Sequence, residues 1–302
     1  MSTLSVLTTT RRQSAGLVRL ADYLELTKPR IVVLELIVAG AAACLATPHA
    51  LDAALVVHAL WGTALVAASA SIANQWWERD VDARMTRTAV RPLPAGRVSS
   101  IEALALSAFT LMAGVVWLVW QVNLLTAALG LASWILYVAV YTPLKTRTPL
   151  NTTVGAVAGA IPALMGWTAT GAPLNLEACI LAGVLFLWQF PHFMAIAWLY
   201  RREYAAAGHR MLPVVDPTGL RAAVQAVVGA LLVIPVSLIL SLSSTGGSPL
   251  VYFVWAVGLG LAQFGLAVRF ALCRDEQSAR LLLRGTLLYL PAWLGMLLMV
   301  TM

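Results

Sequence analysis

The polar residues best able to do chemistry stand in one short run, Asn74-Gln75-Trp76-Trp77-Glu78-Arg79-Asp80-Val81-Asp82. On a helix Asn74, Glu78 and Asp82 step about 40° apart and line one face, while Asp80 points about 200° away from Glu78. Three oxygen-bearing side chains on one face suit a hard cation such as Mg2+, with waters and substrate phosphates completing its octahedron. Arg84, Arg87 and Arg91 follow immediately, and guanidinium forks match phosphate oxygens. A cation site beside arginines points to a diphosphate. The plainer alternative is that Glu78, Asp80 and Asp82 only solvate a helix end and pair with neighbouring arginines. Against it, the theme repeats: Tyr141, Lys145 and Arg147 form one further polar cluster, and Tyr200, Arg201, Arg202, Glu203 and Tyr204 another.

The elements that must position these residues are set by composition. The 302 residues are 60% hydrophobic and 11% charged, with a mean hydropathy of +0.84, whereas soluble chains carry about 25% charge. That excludes a secreted disulfide scaffold, a disordered chain and a soluble nucleic-acid binder, despite a net charge of +7. Apolar blocks long enough to cross a bilayer as helices occupy about 31–47, 53–74, 102–119, 124–141, 154–170, 178–198, 222–242, 250–271 and 286–301. The expected fold is an all-α membrane protein with nine transmembrane helices. When the spans alternate, all 20 Lys and Arg fall on one side, and the opposite loops carry only Asp52 and Glu177 as charges. Basic loops face the cytoplasm, so the N-terminus is expected inside and the C-terminus on the opposite side. Residues 1–30 read as a short cytoplasmic tail and 31–302 as a single nine-helix domain. Cys44, Cys179 and Cys273 share no spacing that suggests a metal or redox pair.

His192 is the one histidine well inside a span, and an intramembrane histidine implies a partner. His49 and His58 lie near the opposite face and His209 in a loop. Glu35, inside the first span, is read as hydrogen-bonded to a neighbouring helix, with a substrate contact as the minority reading. Gly155, Gly159 and Gly166 fit close helix packing. Arg201, Arg202 and Arg210 suit either substrate anions or anionic lipid headgroups. A transporter is the rival class, since intramembrane His192 and Glu35 and helices broken near Pro162 and Pro191 are what a substrate pathway needs. No self-similarity between halves supports it, and the acidic helix end lies at one membrane face, where an enzyme lid belongs.

With these residues in place, the chain resembles the intramembrane prenyltransferases typified by 4-hydroxybenzoate polyprenyltransferase, whose Asn-x3-Asp-x3-Asp helix end binds Mg2+ and a prenyl diphosphate. Within them it is most similar to the heme O synthases (protoheme IX farnesyltransferases). The motifs run in family order over residues 22 to 220: Leu26-Thr27-Lys28-Pro29-Arg30, Asn74 to Asp82, Met85 to Leu93, Tyr141-Thr142-Pro143-Leu144-Lys145, Thr148 to Asn151 and Gly159 to Pro162. Trp188-Gln189-Phe190-Pro191-His192-Phe193, Glu203 to Gly208 and Met211 to Val215 complete the series, and the last two look specific to the heme enzymes. Glu78 replaces the family's first Asp but still presents a carboxylate. Glu203 and Tyr204 stand where quinone-type members carry a second Asp-rich loop, which argues against a quinone-precursor acceptor.

The resemblance implies that farnesyl diphosphate and protoheme IX meet in the membrane, and that the farnesyl group and the elements of water add to the heme 2-vinyl group to give heme O and diphosphate. It implies Mg2+ on Asn74, Glu78 and Asp82; diphosphate contacts from Arg87, Arg91 and Lys145; and heme contacts from His192, Arg201, Arg202 and Tyr204, with His192 able to ligate iron. Trp76, Trp77, Tyr141 and Trp188 are the aromatic residues available to shield the allylic cation. The expected location is the cytoplasmic membrane, with active-site loops on the cytoplasmic side, membrane lipid around the helices, and a downstream heme-modifying enzyme as a possible partner.

Overall fold

The computed structural model describes residues 19–47, 51–243 and 248–301. Most of the expected tail, residues 1–18, lies outside the described residues, as does His49. Nine helices of the described residues are long and apolar enough to cross a membrane. They are α1 (Pro29–Ala46), α2 (Ala53–Asp82), α3 (Ser100–Gln121), α4 (Leu124–Leu144), α5 (Asn151–Ala169), α6 (Leu176–Leu199), α7 (Leu220–Ser243), α8 (Pro249–Cys273) and α9 (Glu276–Thr301). Among the described residues there is no strand.

Helix starts follow local chemistry. Asp52 Oδ1 accepts from the Ala54 and Leu55 amides at 2.9 and 3.1 Å and opens α2. Ser99 and Glu102 form a reciprocal capping box at α3, and Asn123 and Asn175 accept from backbone amides at the starts of α4 and α6. At α1 the device is Pro29, whose fixed φ suits a first helical position. Pro disfavours the right-handed helical conformation in the residue before it, and Lys28 adopts a left-handed one (φ 51°, ψ 60°).

α2 continues through the acidic run to Asp82 instead of ending with its apolar block, so Asn74, Glu78 and Asp82 do share one helix. The Ile135–Tyr141 stretch of α4 is π-helical, a local widening common at functional sites. The expected breaks at Pro162 and Pro191 do not occur: α5 and α6 run continuously through both prolines.

α1 packs on α5 and touches α9, α2 packs on α3, and α6 contacts α5, α7 and α9. The α1–α5 approach depends on Gly166, where a Cβ would collide with the Ala39 carbonyl. Small residues let membrane helices approach backbone to backbone in this way. The outer face is apolar: Phe109, Trp120, Leu272 and Met299 are each more than 70% exposed, which suits lipid and would be costly in water.

Candidate active site

The sequence-predicted acidic face is buried and fully engaged at the end of α2. Asp82, 1% exposed, accepts from Arg91 Nη1 at 2.7 Å. Lys145 Nζ lies 2.8 Å from Glu78 Oε1 and donates to Oε2 at 3.1 Å. Asn74 Nδ2 donates to Glu78 Oε2 and to Thr142 Oγ1, each at 3.0 Å. The Asn74 Oδ1 accepts from Lys28 Nζ at 2.7 Å. Asp80 points away to an exposed pairing with Arg79, as helical geometry predicts.

The electrostatics favour an incoming anion. Lys28, Lys145 and Arg91 surround Glu78 and Asp82, so three cations face two carboxylates. Burial, together with the charges of Arg91 and Lys145, pushes the Lys28 ammonium down to about 7. Burial also weakens the charged form of Lys145, but Glu78 and the tyrosines Tyr141 and Tyr137 outweigh it and hold that ammonium well above its ordinary value. Glu78 Oε1 is buried and held by its ion pair with Lys145. Among the described residues, no cluster of three or more His, Cys, Asp or Glu side chains could hold a metal unaided. A cation on Asn74, Glu78 and Asp82 therefore needs oxygens from a substrate or water.

The segments that carry the two further polar clusters meet beside the end of α2. Arg210 donates its backbone amide to the Lys145 carbonyl at 2.6 Å, and Asn151 Nδ2 bonds the Thr148 and Arg210 carbonyls. The Arg87 guanidinium sits 4.8 Å from the Tyr200 ring centroid. Tyr204 packs edge-on to His209 at 5.6 Å, and burial raises its phenol while the Arg87 charge partly offsets that. His209 is 4% exposed, and burial lowers its imidazole below the ordinary range. Arg201 turns onto its own helix, 4.3 Å from the Trp198 ring and bonded to the Trp198 carbonyl. Arg202 is exposed and touches none of the acidic face.

Behind this face lies an apolar cavity of about 520 Å³, walled by α1, α2, α4, α5, α6 and α9. That volume is within the range of ligand pockets. Tyr141 joins the two spaces, lining the cavity while Lys145 Nζ rests 4.7 Å from its ring centroid. Trp188 and His192 line the cavity, stacked at 4.9 Å. Thr286 of α9 fixes both, accepting the Trp188 indole N–H through its carbonyl at 2.8 Å and meeting His192 Nδ1 through Oγ1 at 3.0 Å. Of the four aromatic residues expected to shield a cation, Trp76 and Trp77 do not face this space. Trp76 packs against Leu26 and Ile72, and Trp77 is 46% exposed, because the end of α2 rotates them outward. Trp134 and Tyr137 take their places. Sequence reasoning also passed over Lys28, Thr142 and His209 as parts of the site. The available signal for Lys28 was a lysine immediately before Pro29 at the buried start of a span.

Residues 36–297 match the model described as the UbiA prenyltransferase family. The chain belongs to that family. A curated relative of this UbiA prenyltransferase, named protoheme IX farnesyltransferase, from Solibacter usitatus, is 43% identical over 287 residues, covering 92% of this chain and 98% of the relative. A second so named, from Rhodopirellula baltica, is 42% identical, covering 89% and 96%. Among solved structures, a UbiA homolog from Archaeoglobus fulgidus bound to GPP and Mg2+ superposes with a TM-score of 0.69 at 18% identity, covering 92% of this chain and all of that one. This UbiA prenyltransferase thus shares its helical fold with distant members, and aligns over most of its length, at 42–43% identity, with relatives named for heme farnesylation.

Proposed function

We propose that this chain transfers the farnesyl group of farnesyl diphosphate to the 2-vinyl group of protoheme IX, with addition of water, giving heme O and diphosphate. The observation that carries the reading is a cation-rich acidic face that adjoins, at Tyr141, an apolar cavity lined by His192. The names of the full-length relatives support the acceptor and the donor.

The difficult step is heterolysis of the allylic carbon–oxygen bond, and groups that bind the departing diphosphate more tightly as its charge grows lower that barrier. Lys28, Arg91 and Lys145 stand where they can turn from Asn74, Asp82 and Glu78 to phosphate oxygens, and Arg87 approaches from the loop. Mg2+ fits the donor set: Asn74, Glu78 and Asp82 would hold it through side-chain oxygens on one face of α2, with Glu78 Oε1 exchanging its 2.8 Å ion pair with Lys145 for the metal. When bound, Mg2+ supplies positive charge to the diphosphate oxygens. The aromatic walls Trp134, Tyr137, Tyr141 and Trp188 offer π faces to an allylic cation and exclude premature water. His192 is pinned through Nδ1, and its Nε2, which has no hydrogen bond among the described residues, is available to heme. Tyr204 stands beside the acidic face, while Arg201 and Arg202 would meet the heme propionates at the loop surface. The gathering of basic residues at these helix ends supports a site on the cytoplasmic side of the cell membrane.

The test is purified protein in nanodiscs with protoheme IX, farnesyl diphosphate and Mg2+, read by mass spectrometry for the farnesyl-plus-water adduct. Heme O from the parent, lost on chelation with EDTA and restored by Mg2+, is expected. Prenylation of an aromatic acid or quinone precursor in place of heme would overturn the acceptor.

A further inference from the structure

One acid lies deep in the cavity and takes no part in the chemistry so far. Among the described residues Glu35 is the only carboxylate lining it; the other titratable groups there are Tyr137, Tyr141 and His192. The hydrogen bond to a neighbouring helix expected of Glu35 is not found: among the described residues it forms no hydrogen bond or ion pair, and the charge acting on it is that of Lys28. An unbonded carboxylate in apolar surroundings is costly and marks function in a membrane. Tyr137, which lines the same cavity, likewise has no hydrogen bond to its hydroxyl among the described residues. A water between them would find polar company on an otherwise apolar wall.

The position is also right for one step. Glu35 follows Lys28, the left-handed residue that precedes α1, by seven residues, so it lies about 10 Å further along the helix axis, and the Lys28 charge still reaches it. Lys28 marks the diphosphate end through its bond to Asn74. From there, two reacting contacts of about 3 Å each and one hydrogen bond of about 2.7 Å bridge a similar distance. Those contacts are farnesyl C1 to the terminal vinyl carbon, then the internal vinyl carbon to water, then water to a base.

We propose that Glu35 is the catalytic base for hydration, its carboxylate taking the proton of the water that adds to the former vinyl group. This rests on the heme-farnesylating reading of the site. The C1–O bond breaks and its electron pair leaves with diphosphate. The vinyl π pair forms the new carbon–carbon bond, leaving the internal carbon cationic beside the pyrrole. A water lone pair closes onto that carbon, one water proton passes to Glu35, and Glu35 later returns it to solvent. Without the base, the cation is expected to lose a proton from its neighbouring CH2 and become an alkene.

The experiment compares parent, Glu35→Gln and Glu35→Asp proteins in nanodiscs with protoheme IX, farnesyl diphosphate and Mg2+ in H2(18)O, following diphosphate release and the masses of heme products. Parent protein is expected to give heme O carrying one labelled oxygen. Glu35→Gln, isosteric and uncharged, is expected to keep releasing diphosphate while heme O falls about a hundredfold and an adduct lighter by one water appears; Glu35→Asp should recover part of the hydrated product. Unchanged heme O from Glu35→Gln overturns the proposal, and so does a parallel loss of diphosphate release, which would make Glu35 a binding group. If the parent itself forms no heme O but prenylates another acceptor, the heme reading falls and takes the hydration step with it.

Discussion

At the residue scale the site is a set of paired charges that a diphosphate can re-partner. Breaking a buried pair leaves its partner uncompensated, so Glu78→Gln and Asp82→Asn each strand a cation, Lys145 or Arg91. Both variants are expected to lower the rate of diphosphate release about 10²- to 10³-fold, measured at saturating farnesyl diphosphate. Lys28→Met tests the cation that sequence reasoning passed over. Losing one charge-assisted hydrogen bond costs about 1.5–3 kcal/mol, so kcat/KM for farnesyl diphosphate should fall about 10- to 100-fold while the protein stays folded. A rate equal to the parent's would remove Lys28 from the site. The Asn74, Glu78 and Asp82 face was legible because helical periodicity alone aligns them. Lys28 was not, since its contact with Asn74 spans 46 residues and arises from how α1 meets α2.

At the element scale the helices act as rigid carriers, and their contacts set where the cavity walls stand. Gly166 admits the Ala39 carbonyl between α1 and α5. Gly166→Val forces those backbones apart at about 1–3 kcal/mol of overpacking, and a lower melting temperature with parallel loss of activity is expected in detergent. Gly155 acts differently: a Cβ there would press on the Tyr141 ring at 2.8 Å, and Tyr141 carries Lys145 against its face. Gly155→Ala should therefore raise KM for farnesyl diphosphate with little change in melting temperature, a split that separates positioning from stability. Small residues at these places were visible in the sequence. Their partners were not, because a glycine records that something comes close without recording what. The same holds for Thr286, which fixes His192 from 94 residues away, and for Trp76 and Trp77, whose outward rotation depends on the packing around α2.

At the scale of the whole molecule, orientation can be read with the protein's own thiols. Cys179 and Cys273 are both exposed, near opposite ends of the bundle, at the start of α6 and the end of α8. With the basic ends inside, a membrane-impermeant maleimide added to intact cells should label a variant retaining only Cys179, and label one retaining only Cys273 after lysis alone; the reverse pattern would invert the topology. Hydropathy and charge by themselves determined the nine spans, their alternation and the gathering of basic residues at one end, because bilayer thickness and the cost of burying charge act on local composition. Periodicity by itself determined which oxygens share the α2 face. Only the tertiary structure decided that Lys28, Lys145 and Arg91 close over those oxygens, that Tyr141 links them to an apolar cavity, and that Glu35 and His192 stand on its walls. Those relations join residues far apart in the chain, and which helix faces meet is fixed by side-chain packing, a property no single segment carries.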